Sequence, residues 1–205
     1  MIKALSPLLL LVASLMLPLS SRAANPFLDL PDDKPVSAKF KGTEWGDSVG
    51  SKKDLPLSAR VVTQRVAKAS WGGVYKIGFE DIVSKAKTKR TLDPLYYVVT
   101  DDVIVLLNEE KPDEAAQKLA ADPNPPKFED SDIYGISQGH RDFAEGLLTK
   151  TKIEVKGDTC TYQWTHNSGH FATVIWQKGQ GLMQYAQGSG ARADGYRLKR
   201  EVTGK

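Results

Sequence analysis

A mainly β, antiparallel fold, a single barrel or sandwich-like domain with one or two short peripheral helices, is what this sequence predicts. Three observations predict it. Short runs in which apolar and polar residues alternate recur along the chain. From Lys152 onward such runs are separated by turns bearing glycine. Only one segment, Pro112 to Ala121, carries helix signals at both ends.

The chain opens with a segment that belongs outside the fold. Met1-Ile2-Lys3 is a short basic start, and Ala4 to Leu19 is apolar apart from serine and proline. Ser21-Arg22-Ala23 then places small residues three and one before a cut, the form of a secretory leader. Pro7 and Pro18 interrupt a run too short to span a bilayer, and no later segment is apolar enough to do so. Residues 1–23 are therefore expected to be a cleaved leader, residues 24–35 a flexible, proline-bearing lead-in, and residues 36–205 one β-rich domain. The expected location is the periplasm or the exterior, with no membrane span after cleavage. Losing Lys3 and Arg22 takes the formal charge from +3 to +1, so the working protein is less basic than the whole chain. The lone Cys160 gives no internal disulfide, and its alternatives are a buried apolar residue, a reactive thiol or a link to another chain.

Within the domain, Pro35 to Trp45 reads as a strand with Val36, Ala38 and Phe40 on one face. Gly46 to Pro56 is polar and glycine-bearing and reads as a loop. Leu57 to Ala69 fits either a strand, by its β-branched content, or a short helix, by the spacing of Val62, Val66 and Ala69. Tyr75, Ile77 and Phe79 alternate with Lys76, Gly78 and Glu80, the period of a half-buried strand. Lys85 to Arg90 is a basic loop. Leu95 to Thr100 and Val103 to Leu107 form a hairpin about Asp101-Asp102, apolar on both faces, as strands covered on both sides are. Pro112 to Ala121 is a helix opened by proline and acids and stopped by Asp122 to Pro126. A second short helix is expected within Gln138 to Thr149, using Phe143, Leu147 and Leu148.

The C-terminal meander holds the residues with chemical interest. Cys160, Tyr162 and Trp164 share one strand face, and Ala172, Val174 and Trp176 share another. Cys160, His166 and His170 form a C-x5-H-x3-H pattern. That spacing lacks the four protein ligands of structural zinc, and the histidines flank a turn, so no metal or cofactor is expected. The same three residues could pair a thiolate with an imidazole, but alternation sends Cys160 to the core, so no catalytic residue is expected and a Cys/His hydrolase remains an alternative. The adjacent acids Asp32-Asp33, Asp101-Asp102 and Glu109-Glu110 do not present two carboxylates to one bond. Scattered basic side chains argue against nucleic acid as a partner.

Ser168-Gly169, followed by Trp176-x-Lys178-Gly179, resembles the Ser-Gly and lysine-bearing loops of the periplasmic C-type lysozyme inhibitors. Phe171 stands one residue early for that family's aromatic, the family's disulfide is absent, and this chain is longer. The resemblance implies a small antiparallel barrel that inserts a serine and a lysine into an acidic cleft. The expectation is an exported, non-enzymatic inhibitor or immunity-type factor. It would engage a protein partner, such as an envelope enzyme, through His166, Asn167, Ser168, Gly169, His170 and Lys178. The alternative is a carrier holding a small apolar ligand against Tyr162, Trp164, Phe171 and Trp176.

Overall fold

The computed structural model describes residues 25–30, 34–87, 90–144, 146–190 and 194–202, and the expected leader lies outside them. Twelve strands are formed: β1 (Val36–Gly46), β2 (Ser51–Ala69), β3 (Gly72–Ser84), β4 (Leu95–Thr100), β5 (Val103–Leu106), β6 (Ile133–Ile136), β7 (His140–Phe143), β8 (Thr149–Lys156), β9 (Thr159–His166), β10 (Phe171–Gln177), β11 (Gly181–Ser189) and β12 (Asp194–Arg200). They make one antiparallel sheet in which each strand except β6 pairs with the next in sequence, while β1 also pairs with β12. The result is a nearly closed up-and-down barrel, open only between β6 and β7.

Side chains close that seam. On the barrel wall facing β6, the Trp176 indole N–H donates to Tyr134 O at 2.9 Å. The Ile136 backbone hydrogen-bonds the Cys160 thiol. An unpaired strand edge is costly when buried, so Trp176 and Cys160 earn their burial by satisfying one.

The segment Leu57 to Ala69 is strand throughout, part of β2. Leu57, Ala59 and Val61 point into the core with a period of two, so the β-branched content decided over the helical spacing. The glycine-bearing loop expected over 46–56 is shorter, a single 3-10 turn at Asp47–Val49. The one α-helix among the described residues, α1 (Pro112–Ala121), has the bounds expected of it. It lies along the outside of the β2–β4 wall, where Tyr96 Oη donates to Asp113 at 3.0 Å and Gln117 Nε2 donates to Val66 O at 2.8 Å. Four successive residues of β4, Tyr96 to Val99, are buried, the two-sided burial its sequence predicts.

Two expectations are corrected. Among the described residues of 138–149 no second α-helix forms: His140–Phe143 extends as β7 against β8, and the left-handed Gly139 and Gly146 bracket it. Nor is the lead-in loose over residues 25–30. Phe27, Leu28 and Leu30 are buried, because three large apolar side chains outweigh the chain-breaking effect of Pro26. Asn25 Nδ2 donates to Thr100 O at 3.0 Å, Gly179 N–H donates to Pro26 O at 3.0 Å, and Arg65 bonds both Asp29 and Leu30 O. These partners all belong to one end of the barrel, where β2 meets β3, β4 meets β5 and β10 meets β11. The segment plugs that end.

Candidate functional site

The opposite end, where β9 turns into β10 and β11 into β12, holds a cavity of about 430 Å³. Its wall follows from strand register. Trp164, Ala172, Gln187, Tyr196 and Glu44 stand directly across from one another on β9, β10, β11, β12 and β1. One row deeper, Tyr162, Val174, Tyr185, Leu198 and Gly42 are likewise in register. Because side chains alternate, both rows face the interior. Ala172, small in the middle of the upper row, leaves the space that its large neighbours surround. Tyr134 of β6 reaches across the seam and stacks on Tyr162 at 4.2 Å between ring centroids.

One ionic cluster braces this mouth. Glu44 is fully buried and accepts from Arg90 Nε at 3.0 Å and from the Ser84 hydroxyl. Arg90 also donates to Asp194 Oδ1 at 3.0 Å and lies 5.2 Å above the Tyr196 ring. Burial works against the Arg90 charge, but the bonds to Glu44 and Asp194 outweigh it and raise its pKa. Burial pushes the Tyr134, Tyr185 and Tyr196 hydroxyls above their usual range, so all stay neutral donors at neutral pH.

On the other face of the same strands, Phe171, Gly188, Gly195 and Trp45 form a second register row. The Trp45 and Phe171 rings stack at 6.2 Å over the two glycines. A Cβ on Gly188 would meet the Phe171 ring at 2.5 Å, and one on Gly195 would meet Trp45 at 2.6 Å. These glycines thus admit aromatic rings, where the sequence suggested only turn residues.

The structure separates the residues that the sequence grouped. Tyr162 and Trp164 line the mouth. Phe171 also borders the cavity, although its ring is committed to Trp45. Trp176 is not part of the wall: it is fully buried below, edge-on to Tyr97 at 5.2 Å. His166 to His170 form the tight turn on the rim. Ser168 N–H donates to His166 Nδ1 at 3.1 Å, and Ser168 Oγ lies 2.6 Å from the same nitrogen. The His166 and His170 rings stack at 5.8 Å, continuing a stack that begins at Trp164. Lys178 lies elsewhere, at the plugged end, 3.9 Å from Asp158 and above the Phe27 ring. The seven residues of β10, about 20 Å of strand, separate it from Ser168, so the two loops form no common face. Cys160 is equally distant from the rim histidines along β9. It is fully buried, and burial raises its thiol pKa to about 11. No group of three or more His, Cys, Asp or Glu able to hold a metal occurs among the described residues.

Sequence reasoning missed Arg90, Glu44, Asp194, Tyr134 and Tyr196. One signal was present: continuing the Ala38, Phe40 alternation places Gly42 and then Glu44 on the inner face, and an inward carboxylate needs a partner. No protein-family model matches the chain, and no curated protein or solved structure matches it. Among the described residues no helix is long and apolar enough to cross a membrane.

Proposed function

We propose that the chain is a non-enzymatic binding protein that takes a small, largely apolar ligand into the open mouth of its barrel, and that it works in the periplasm or outside the cell after losing residues 1–23. One observation carries the reading: the barrel is plugged at one end by Asn25 to Leu30 and holds a cavity of about 430 Å³ at the other, walled by Tyr162, Trp164 and Tyr196. Barrel mouths of this size, with aromatic walls and a few placed polar groups, suit one small ligand. The test is titration with the neutral solvatochromic dye Nile red. Saturable binding with a blue shift is expected, lost in Ala172→Trp at unchanged melting temperature. Equal binding by that variant would place the ligand elsewhere.

A second reading, a protein partner on the rim, has its own support. Leu147 is 95% exposed and Leu148 54% exposed. Both adjoin the rigid His166–His170 turn, where Asn167 N–H donates to Leu148 O at 2.9 Å. Exposed apolar side chains clustered beside an ordered turn are a feature of contact surfaces. Capture of a partner from an envelope extract should then be lost in Leu147→Asp and kept in Lys178→Glu, since Lys178 lies at the far end. Loss in the lysine variant alone would restore the loop resemblance as the guide.

A further inference from the structure

A second cavity, of about 610 Å³, lies outside the barrel, between α1 and the β4–β5 hairpin. Its floor follows from strand alternation. Tyr97 points inward to Trp176, so Tyr96 and Val98 point outward. Val98 stands directly across from Val105. Leu107, whose N–H donates to Tyr96 O at 2.8 Å, comes two residues later on the same outer face. α1 is fastened over β2–β4 by the bonds of Asp113 to Tyr96 and of Gln117 to Val66, and Asp122 O accepts from the Trp71 indole at 3.0 Å. Ala115 and Leu119, one turn apart, border the cavity instead. A methyl group at Ala115 leaves open the space that a larger side chain would fill. The lining changes with depth. Val98 and Val105 are buried, Leu107, Ala115, Leu119 and Phe128 are half-buried, and the bordering Asn108, Lys118 and Lys127 are exposed. The deep part is thus aliphatic, where the mouth is walled by tyrosine and tryptophan rings.

We propose that this cleft is a second binding site, which takes the alkyl chain of a single-chain amphiphile. The tail lies over Val98 and Val105, and the head stays among the exposed side chains at the edge. Burying an alkyl chain against aliphatic walls removes apolar surface from both partners, and it leaves no polar group unpaired at depth. The edge carries both signs of charge, Lys118 and Lys127 with Glu109 and Asp132, so it suits a head that hydrogen-bonds without a net charge. The site is separate from the mouth and does not depend on the mouth being a ligand site.

The experiment titrates 1-hexanol and 1-octanol into the folded chain and follows amide chemical shifts. Saturable changes are expected at Val98, Leu107, Ala115 and Leu119. Octanol should bind about tenfold tighter than hexanol, because two more methylenes leave water. The changes should persist in Ala172→Trp, which fills the mouth. They should vanish in Ala115→Trp, which fills the cleft, while Nile red still binds that variant. No saturable change at the four residues would overturn the proposal, as would equal affinity for the two alcohols or changes that Ala172→Trp abolishes. In each of these cases Nile red binding lost only in Ala172→Trp leaves the mouth reading intact. If Ala115→Trp does not fold, the maps of the unmutated chain and of Ala172→Trp decide the matter. Sedimentation adds one more outcome: a dimer that octanol dissociates would overturn the proposal by giving the cleft to a second copy of the chain.

Discussion

Replacing Arg90 by methionine keeps most of the side chain's apolar stem and removes its charge. Glu44, fully buried, would then retain only the Ser84 hydroxyl. Two opposite charges whose centres lie about 4 Å apart attract by about 4 kcal/mol at an effective dielectric of 20. Breaking a buried pair by removing one member costs about 3–5 kcal/mol, because the other charge is left uncompensated. The second pair, to the half-exposed Asp194, adds at most about 1 kcal/mol. The expected loss for Arg90→Met is therefore about 4 kcal/mol, a fall in Tm of about 12 °C for a chain of this size. The double variant Glu44→Met/Arg90→Met removes both charges and should recover most of that loss, giving a coupling of about 3 kcal/mol. Urea unfolding of the two single variants and the double variant measures it. An Arg90→Met loss under about 1 kcal/mol, or a double variant as unstable as the sum of the singles, would refute the claim that this cluster braces the mouth.

Further predictions concern the seam, the plug and the ring closure. Cys160, with its pKa raised to about 11 from 9.0, should react with a disulfide reagent at pH 8 about 100-fold more slowly in the native protein than after unfolding. Its native pKa lies above the unfolded value, so its contribution to stability is intact below pH 9 and lost as pH rises toward 11. The loss is about 3 kcal/mol, read from unfolding at stepped pH and absent in Cys160→Ala. Phe27→Ala, at the plug, should cost about 3 kcal/mol and make the segment before β1 sensitive to limited proteolysis; unchanged resistance would show that the plug does not depend on Phe27. Gly42→Ala should be among the most damaging single substitutions, because its Cβ would lie 1.7 Å from Arg197 O and push β1 off β12. Soluble expression with a native circular-dichroism spectrum would contradict that pairing.

What was legible in the sequence was local. α1 was readable because its start and stop are written in adjacent residues: Pro112, Asp113 and Glu114 at one end and Asp122-Pro123 at the other. The strand faces of β9 and β10 were readable from alternation alone. The plug was misread because Pro26 drew more weight than Phe27, Leu28 and Leu30, whose burial depends on a surface supplied by Thr100 and Gly179 far along the chain. The helix expected near Leu147 failed for the same kind of reason: Phe143 found its partner surface as part of a strand, and Leu147 and Leu148 are left in solvent. The site was hidden more deeply, because register across five strands is not encoded in any one of them. Once β1 pairs with β12, Glu44, Tyr196, Gln187, Ala172 and Trp164 fall into one line. The separation of Ser168 from Lys178, by contrast, follows from their positions before and after a single strand.

The most direct test of the account is a map of amide chemical-shift changes as Nile red is titrated into the folded protein. The account predicts changes concentrated at Trp164, Ala172, Gln187 and Tyr196, with Phe27, Lys178 and Gly179 unmoved. Changes centred on the plugged end, or along α1 and β5 with the mouth silent, would contradict it.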